Sequence, residues 1–322
     1  MKPIVQCVPN FSEGRDMKTI EAIVEPLRNQ TGFTCASVEP DQDYNRTVVT
    51  LIGDPEAMVS PLLEAVRVAT ERIDMNRQKG EHPRMGATDV VPFIPIADIT
   101  MDDCVAIAHR FAEKLATSMH IPVFVYAEAA KQKGRVKLPA IRKGEYEGMA
   151  AKLQDPAWTP DFGPAKPHPT AGVSAVGARM PLIAYNIDLM TDNIDVAKRI
   201  AKAIRGSSGG FKHIQAGPVL LAERGHTQVT MNILNDMQNP VYRIFETVKM
   251  EARRDGVAVP SAEIVGLVPK ATLVRSLAYY MACEGIAFEA DTMTLEQLSD
   301  LAVTWLKFRD FTVDKIIEAH VD

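Results

Sequence analysis

Long apolar runs are missing from this chain. None reaches the roughly 18 residues that a membrane-spanning helix needs, so no membrane partner is expected. Cysteine is scarce: Cys7, Cys35, Cys104 and Cys283 lie far apart with no C-x-x-C pair. That spacing excludes a disulfide framework and a zinc ribbon, and it suits a reducing cytoplasm. A charge excess is missing too. The formal net charge is −5 over 322 residues, which gives no reason to expect nucleic acid or an anionic membrane surface as a partner. Neither G-x-G-x-x-G nor G-x-x-x-x-G-K-[ST] occurs; "GSSGG" (Gly206–Gly210) follows a helical pattern rather than a strand and reads as a loop. No two histidines have the spacing of a metal site, so no catalytic metal is expected. The opening "MKPIVQCVPNF" has no charged head, long apolar core or small-residue cleavage site, and is not read as a secretion signal.

What is there is ordinary for a soluble globular protein: 46% apolar and 24% charged residues. The length is too great for one comfortable core, and two units of roughly 150 residues each are the default. The first half alternates cleanly. "PIVQCV" reads as a strand, and Asp16 caps a helix with Ile20, Ile23, Val24 and Leu27 on one face. "FTCASV" and "RTVVTLI" are strands, and Asp54-Pro55 opens a helix running toward Asn76, with Pro61 awkwardly inside it. "DVVPFIPI" is a strand, Thr100 with Asp103 resembles a capping box for a helix Met101–Met119, and "PVFVYA" follows as a strand.

The second half repeats the order. A strand lies within "AGVSAVGARMPLIAYNIDL", Asp192 caps "NIDVAKRIAKAIR", and "IQAGPVLLAE" with "TQVTMNIL" forms a hairpin about Gly225. Asn239-Pro240 starts a helix that stops at Gly256, "AEIVGLVP" closes the unit, and helices follow from Ala271. Both halves therefore read βαββαβ, the split βαβ or ferredoxin-like order, giving an α+β fold of two subdomains, 1–178 and 179–322. Between the halves, "DPAWTPDFGPAKPHPTAG" (Asp155–Gly172) carries five prolines with Trp158, Phe162 and His168. It either lines a site or serves as a stiff, packed connector.

The sharpest chemical feature is "GEHPRMGATDVVPFIP", Gly80 to Pro95. His82 can donate and accept a proton near neutrality. Pro83 stiffens the backbone, Gly80 and Gly86 permit turns, Glu81 or Asp89 can orient the ring, and Arg84 can clamp a carboxylate. The competing reading is a surface histidine in a polar loop. In "VPNFSEG", Asn10 and Glu13 are either ligand contacts or parts of a loop leading into a helix. "EPDQDYNRT" contains Glu39 and Arg46; its alternating acids can bind a cation but more often mark a solvated hairpin loop. "KQKGRVKLPAIRK" (Lys131–Lys143) has six cations and no acid; it attracts an anionic substrate or is simply solvated.

Taken together, "CVPNFSEGR", "DMNRQKGEHPRMGATDVVPFIP", "PDFGP…GARMPLIAYNI", "LPAIRKGEYEG" and "GLVP" resemble the transferase part of the formimidoyltransferase-cyclodeaminase family, from about Ile4 to about Pro269. The resemblance implies two ferredoxin-like subdomains with folate bound between them, and a homodimer. It implies transfer of a formimidoyl group from N-formimidoyl-L-glutamate to tetrahydrofolate, the co-substrate, in histidine breakdown. His82 matches the family's catalytic histidine. The folate-binding segment falls on Gly163, Pro164, Ala165, Lys166, Pro167, His168, Pro169, Thr170, Ala171 and Gly172. Substrate contacts are expected from Asn10, Glu13, Glu39, Arg46 and Arg84, with Arg84 on a glutamate carboxylate and Lys131–Lys143 on the folate's glutamate tail. Where the family often has an aspartate, this chain has Glu39. The alternatives are formyl transfer involving 5-formyltetrahydrofolate, or a folate-binding protein without catalysis.

Overall fold

A proline at position 9 breaks the first strand. Pro9 has no N–H to give a ladder, so the strand is split into β1 (Ile4–Cys7) and β2 (Asn10–Phe11). Both pieces lie between the same two neighbours, β4 (Arg46–Gly53) and β5 (Thr88–Ala97). The structure, a computed structural model, describes residues 3–42, 44–80, 82–221 and 224–320. It divides into two units, the first ending at Arg179 and the second running Met180–His320.

In the first unit β3 (Phe33–Asp41) flanks β4, and β6 (Val123–Ala127) and β7 (Ser174–Ala178) lie beyond β5. The order is β3-β4-β1/β2-β5-β7-β6. The pairings from β3 to β5 are antiparallel, and those of β7 with β5 and β6 are parallel. Helices α1 (Met17–Val24), α2 (Pro55–Arg72) and α3 (Met101–Met119) bury Ile20, Ile23, Leu62, Val66, Phe111 and Leu115 against one face of this sheet. Their starts follow local chemistry. Asp16 and Asp54 accept first-turn N–H groups, and Thr100 with Asp103 forms a complete capping box. Pro61 is held inside α2, which ends at Arg72 rather than near Asn76. On the other face the short helices α4 (Leu138–Arg142) and α5 (Glu145–Lys152) cover a smaller cluster, in which Ile141 and Met149 meet Val90, Phe124, Tyr126 and Ala175.

The second unit is built as β8 (Ile183–Leu189), α6 (Ile194–Ile204), β9 (Ile214–Leu221), β10 (His226–Ile233), α7 (Val241–Arg253) and β11 (Ala262–Val265). Its four strands are antiparallel in the order β11-β8-β10-β9. Alternate residues Ile183, Tyr185, Ile187 and Leu189 face α6 and α7, as a period of two requires. α8 (Lys270–Cys283) and α9 (Leu295–Leu306) contribute Leu273, Ala302 and Leu306 to the same core.

Two sequence readings change. "AGVSAVGARMPLIAYNIDL" holds two strands: β7 completes the first sheet and β8 opens the second. The proline-rich stretch before β7 therefore lies inside the first unit. The cap of α6 is Asn193, whose side chain accepts from the Asp195 N–H, and not Asp192. Both residues have the short polar side chain that caps helices, so composition alone did not separate them.

β7 is reached through a close backbone approach. Gly86 and Gly172 pair as an isolated bridge, the Ala87 N–H donates to the Ala171 oxygen (2.9 Å) and the Val173 N–H to that of Met85 (3.0 Å). A Cβ at Gly86 would overlap the Val173 carbonyl oxygen and press on that of Ala171. Gly86→Ala is expected to lower stability by about 1–3 kcal/mol, the usual cost of overpacking, seen as a lower urea midpoint at unchanged m. An unchanged midpoint would mean that the two chains do not approach this closely.

Candidate active site around His82

The chain approaching His82 is tied down before it arrives. Asn45, in the left-handed region with φ of 49°, accepts from the Gly14 N–H (2.9 Å) and donates to the Lys79 oxygen (2.8 Å). Gln78 donates back to the Asn45 oxygen at 2.9 Å. The β3–β4 connection thus clamps the residues just ahead of the histidine.

His82 is mostly enclosed, its side chain 13% exposed. Arg46 Nη1 lies 3.4 Å from Nδ1 and 3.3 Å from Nε2. One nitrogen of Arg46 is thus shared between the two ring nitrogens. Tyr44 meets the ring edge-on, with centroids 6.4 Å apart. Asp89 Oδ2 is 3.9 Å from Nε2, an ion-pair distance too long for a hydrogen bond.

Asp89 reaches this point through a β-bulge. Asn10 pairs with Val90 and Phe11 with Thr88, so Asp89 is the extra residue between them. Its carboxylate is 1% exposed. Oδ1 accepts from the Met85 N–H at 2.9 Å, and Oδ2 accepts from Arg142 at the end of α4. Burial alone would push this carboxyl up; His82, Arg142 and the Met85 N–H outweigh burial and hold it below the usual carboxylate range.

The expected substrate residues separate clearly. Arg46 is brought to His82. Arg84 is not available: its Nε donates to Gln78 Oε1, Nη1 to Glu145 and Glu147, and Nη2 to Glu147 and the Gln78 oxygen, at 2.8–3.2 Å. All five of its donors are engaged, so the clamp expected of Arg84 is already filled by this chain's own carboxylates. Those pairings raise its pKa, the Glu147 hydrogen bonds most. Glu13 serves the chain leading into α1, its Oε1 accepting from Arg15 and Asp16. Asn10 is buried in β2 and donates to the Val8 oxygen. Glu39 is exposed on β3, paired in register with Val48, and its side chain makes no hydrogen bond or ion pair with the described residues. Glu81 lies outside the described residues.

Of the segment Gly163–Gly172, the first four residues are exposed. The last five fold back on the His82 loop through the Gly86–Gly172 pairing. His168 closes this turn: its Nδ1 accepts from the Ala171 N–H at 3.0 Å, and burial, aided by the charge of His120, lowers its pKa. The Pro169 oxygen accepts from Asn76 (3.0 Å) and the Tyr146 hydroxyl (3.1 Å). A cavity of about 460 Å³, lined by Lys79, Gly80, Arg84, Gly144, Glu145 and Glu147, opens beside the approach to His82. Among the described residues no group of three His, Cys, Asp or Glu side chains is placed to hold a metal ion, and no helix is long and apolar enough to cross a membrane.

Residues 4–179 match the sequence family described as formiminotransferase domain, N-terminal subdomain, and residues 184–321 match the formiminotransferase domain. The chain belongs to the formiminotransferase family. It is 47% identical to the glutamate formimidoyltransferase of Streptococcus pyogenes over 284 residues, covering 88% of this chain and 95% of that protein. A glutamate formimidoyltransferase of Thermoplasma acidophilum is 39% identical over 88% of this chain and 93% of its own length. The formimidoyltransferase-cyclodeaminase of Gallus gallus is 42% identical over 88% of this chain and 53% of its own length.

Sequence reasoning missed Arg142, Gln78 and Asn45. Arg142 sits in the cationic run Lys131–Lys143, which read as one feature; the structure buries two of its members for different ends. Arg135 is 1% exposed, pairs with Asp161 at 3.2 Å and lies over the Phe124 and Trp158 rings. Arg142 holds Asp89. The run is therefore not a uniform solvated face: two of its six cations, Arg135 and Arg142, are held by carboxylates of the chain.

Asp89→Asn leaves Arg142 without its buried counter-charge and is expected to cost about 3–5 kcal/mol at pH 7. The folded carboxyl titrates below its unfolded value of about 3.9. Over that window the unfolded state binds more protons, so this contribution is full above about pH 4 and is lost on acidification through the folded value. Urea titrations from pH 7 to pH 3 check this: the variant's stability falls less steeply with acid. Equal stability at pH 7 would show that the pair contributes nothing.

Proposed function

We propose that this protein transfers the formimidoyl group from N-formimidoyl-L-glutamate to tetrahydrofolate, giving 5-formimidoyltetrahydrofolate and L-glutamate, with His82 moving the proton. The observation that carries this is the position of one titratable imidazole. It is held beside Arg46 and Asp89, on the loop against which the end of Gly163–Gly172 folds. Folate N5 attacks the amidine carbon and the bond to the glutamate nitrogen breaks. N5 must lose a proton and the departing nitrogen must gain one, because an amide anion is a poor leaving group. An imidazole, which accepts a proton at one nitrogen and releases one from the other, does both in one turnover. The donor's carbon is not oxidised or reduced, and no metal is needed for the balance.

The segment Gly163–Gly172 is assigned to folate. Its exposed first half presents Lys166, and its second half is fixed by backbone hydrogen bonds to Met75 and Ala87. We read both units as variants of the ferredoxin-like arrangement, parted near residues 178 and 179. The element order βαββαβ in each supports this, with β6 and β7 as an extension of the first. The resemblance to the family supports a homodimer, and the four free cysteines suit the cytoplasm.

His82→Ala is expected to retain the fold and folate binding while kcat falls about 10²–10⁴-fold, the usual size of a general acid–base contribution. The assay follows tetrahydrofolate absorbance with formimidoylglutamate as donor, and a parallel run with 5-formyltetrahydrofolate separates the two donors. Unchanged turnover in the variant would remove His82 from the reaction.

A further inference from the structure

Arg84 and Arg46 were both expected to meet substrate, and the fold leaves them in opposite states. Arg84 is saturated by Glu145, Glu147 and Gln78. Among the described residues Arg46 has no ion pair; its neighbours are the ring nitrogens of His82 and the face of Tyr44, whose centroid is 5.9 Å from its guanidinium carbon. Its buried Nε has no hydrogen-bond partner, and neither does the buried Nε of Arg142. Among the described residues, Arg46 thus meets the His82 ring, and the one carboxylate placed against that ring, Asp89, is already held by Arg142. Asp41, across the hairpin, accepts from the Tyr44 N–H and makes no ion pair with Arg46. A buried donor without an acceptor costs free energy, and two of them on the arginines that flank the His82–Asp89 pair leave room for an acceptor that arrives with a ligand.

Resting on the reaction proposed above, we infer that Arg46 and Arg142 form the subsite for the α-carboxylate of the glutamate donor. The nitrogen that must be protonated is attached to the carbon that bears this carboxylate. A carboxylate on Arg46, whose Nη1 lies 3.3 Å from the His82 ring, therefore sets that nitrogen against the imidazole. The γ-carboxylate is attached two bonds further from that nitrogen, so the same pair holding it would displace the nitrogen from the imidazole. Burial, together with the charge of Arg142, lowers the Arg46 pKa, the direction expected where positive charge is left uncompensated. The fork of a guanidinium matches a carboxylate in two parallel hydrogen bonds, which a lysine cannot reproduce.

The test compares wild type, Arg46→Gln and Arg142→Lys on N-formimidoyl-L-glutamate, its α-amide and its γ-amide. Arg46→Gln abandons no carboxylate among the described residues, and Arg142→Lys keeps a cation on Asp89; melting curves establish that each folds. In wild type, kcat/KM falls about 10- to 100-fold on α-amidation, the size of a charged hydrogen-bond pair, and much less on γ-amidation. In Arg46→Gln the α-amide and the parent donor become nearly equivalent, Arg142→Lys lies between, and the KM for tetrahydrofolate is unchanged. Discrimination in Arg46→Gln as strong as in wild type, or a wild type that rejects the γ-amide more, overturns the inference. Absence of transfer from the parent donor by wild type refutes the reaction itself. Calorimetry with L-glutamate and isoglutamine then decides the subsite: it stands if wild type prefers glutamate and Arg46→Gln does not, and falls otherwise.

Discussion

The buried carboxylate of Asp89 is the constraint on which the site depends. Continued alternation from Val91 and Phe93, which face the large core, would have sent it among apolar side chains, where an unpaired charge costs several kcal/mol. The extra residue of the bulge turns it away. One oxygen then satisfies the Met85 N–H and the other the guanidinium of Arg142. A strand, the loop ahead of it and the end of α4 are locked by one group. His82 stands against this fixed charge rather than bonded to it, and a ring so placed can change protonation without breaking the frame.

The second feature is an uneven distribution of positive charge. Arg84 and Arg46 both border the histidine, yet one is satisfied by the chain and the other is not. The satisfied one stabilises the approach to His82 by joining Gln78 to α5. The other keeps its capacity for a ligand. Beside them, the pairing of Gly86 with Gly172 ties the proposed folate segment to the loop carrying His82, so that the two halves of the proposed reaction share one backbone junction.

Much of this was readable in the sequence, wherever the signal is local. The stripe Ile20, Ile23, Val24 and the capping box at Thr100 fixed two helices, and α3 spans Met101–Met119 as its periodicity requires. His82 stood out because a titratable ring lay among turn residues before an apolar strand. What was hidden depends on distant pairs. Arg142 meets Asp89 across 53 residues, and nothing in a cationic run distinguishes the member that will be buried. Nor does composition reveal that Arg84 meets its own glutamates 61 and 63 residues on. The proline-rich stretch resembles a linker locally; only its pairing with Gly86 makes it part of the first unit.

The central claim is that proton transfer runs through the ring of His82. Isotope-edited NMR titration of that imidazole in wild type, set beside the pH dependence of kcat/KM, tests it most directly. The account predicts that the ring resonance and one limb of the rate profile share a midpoint, and that both move together when Arg46 is neutralised. A ring that titrates away from either limb, or a rate profile that stays put while the ring moves, would contradict it.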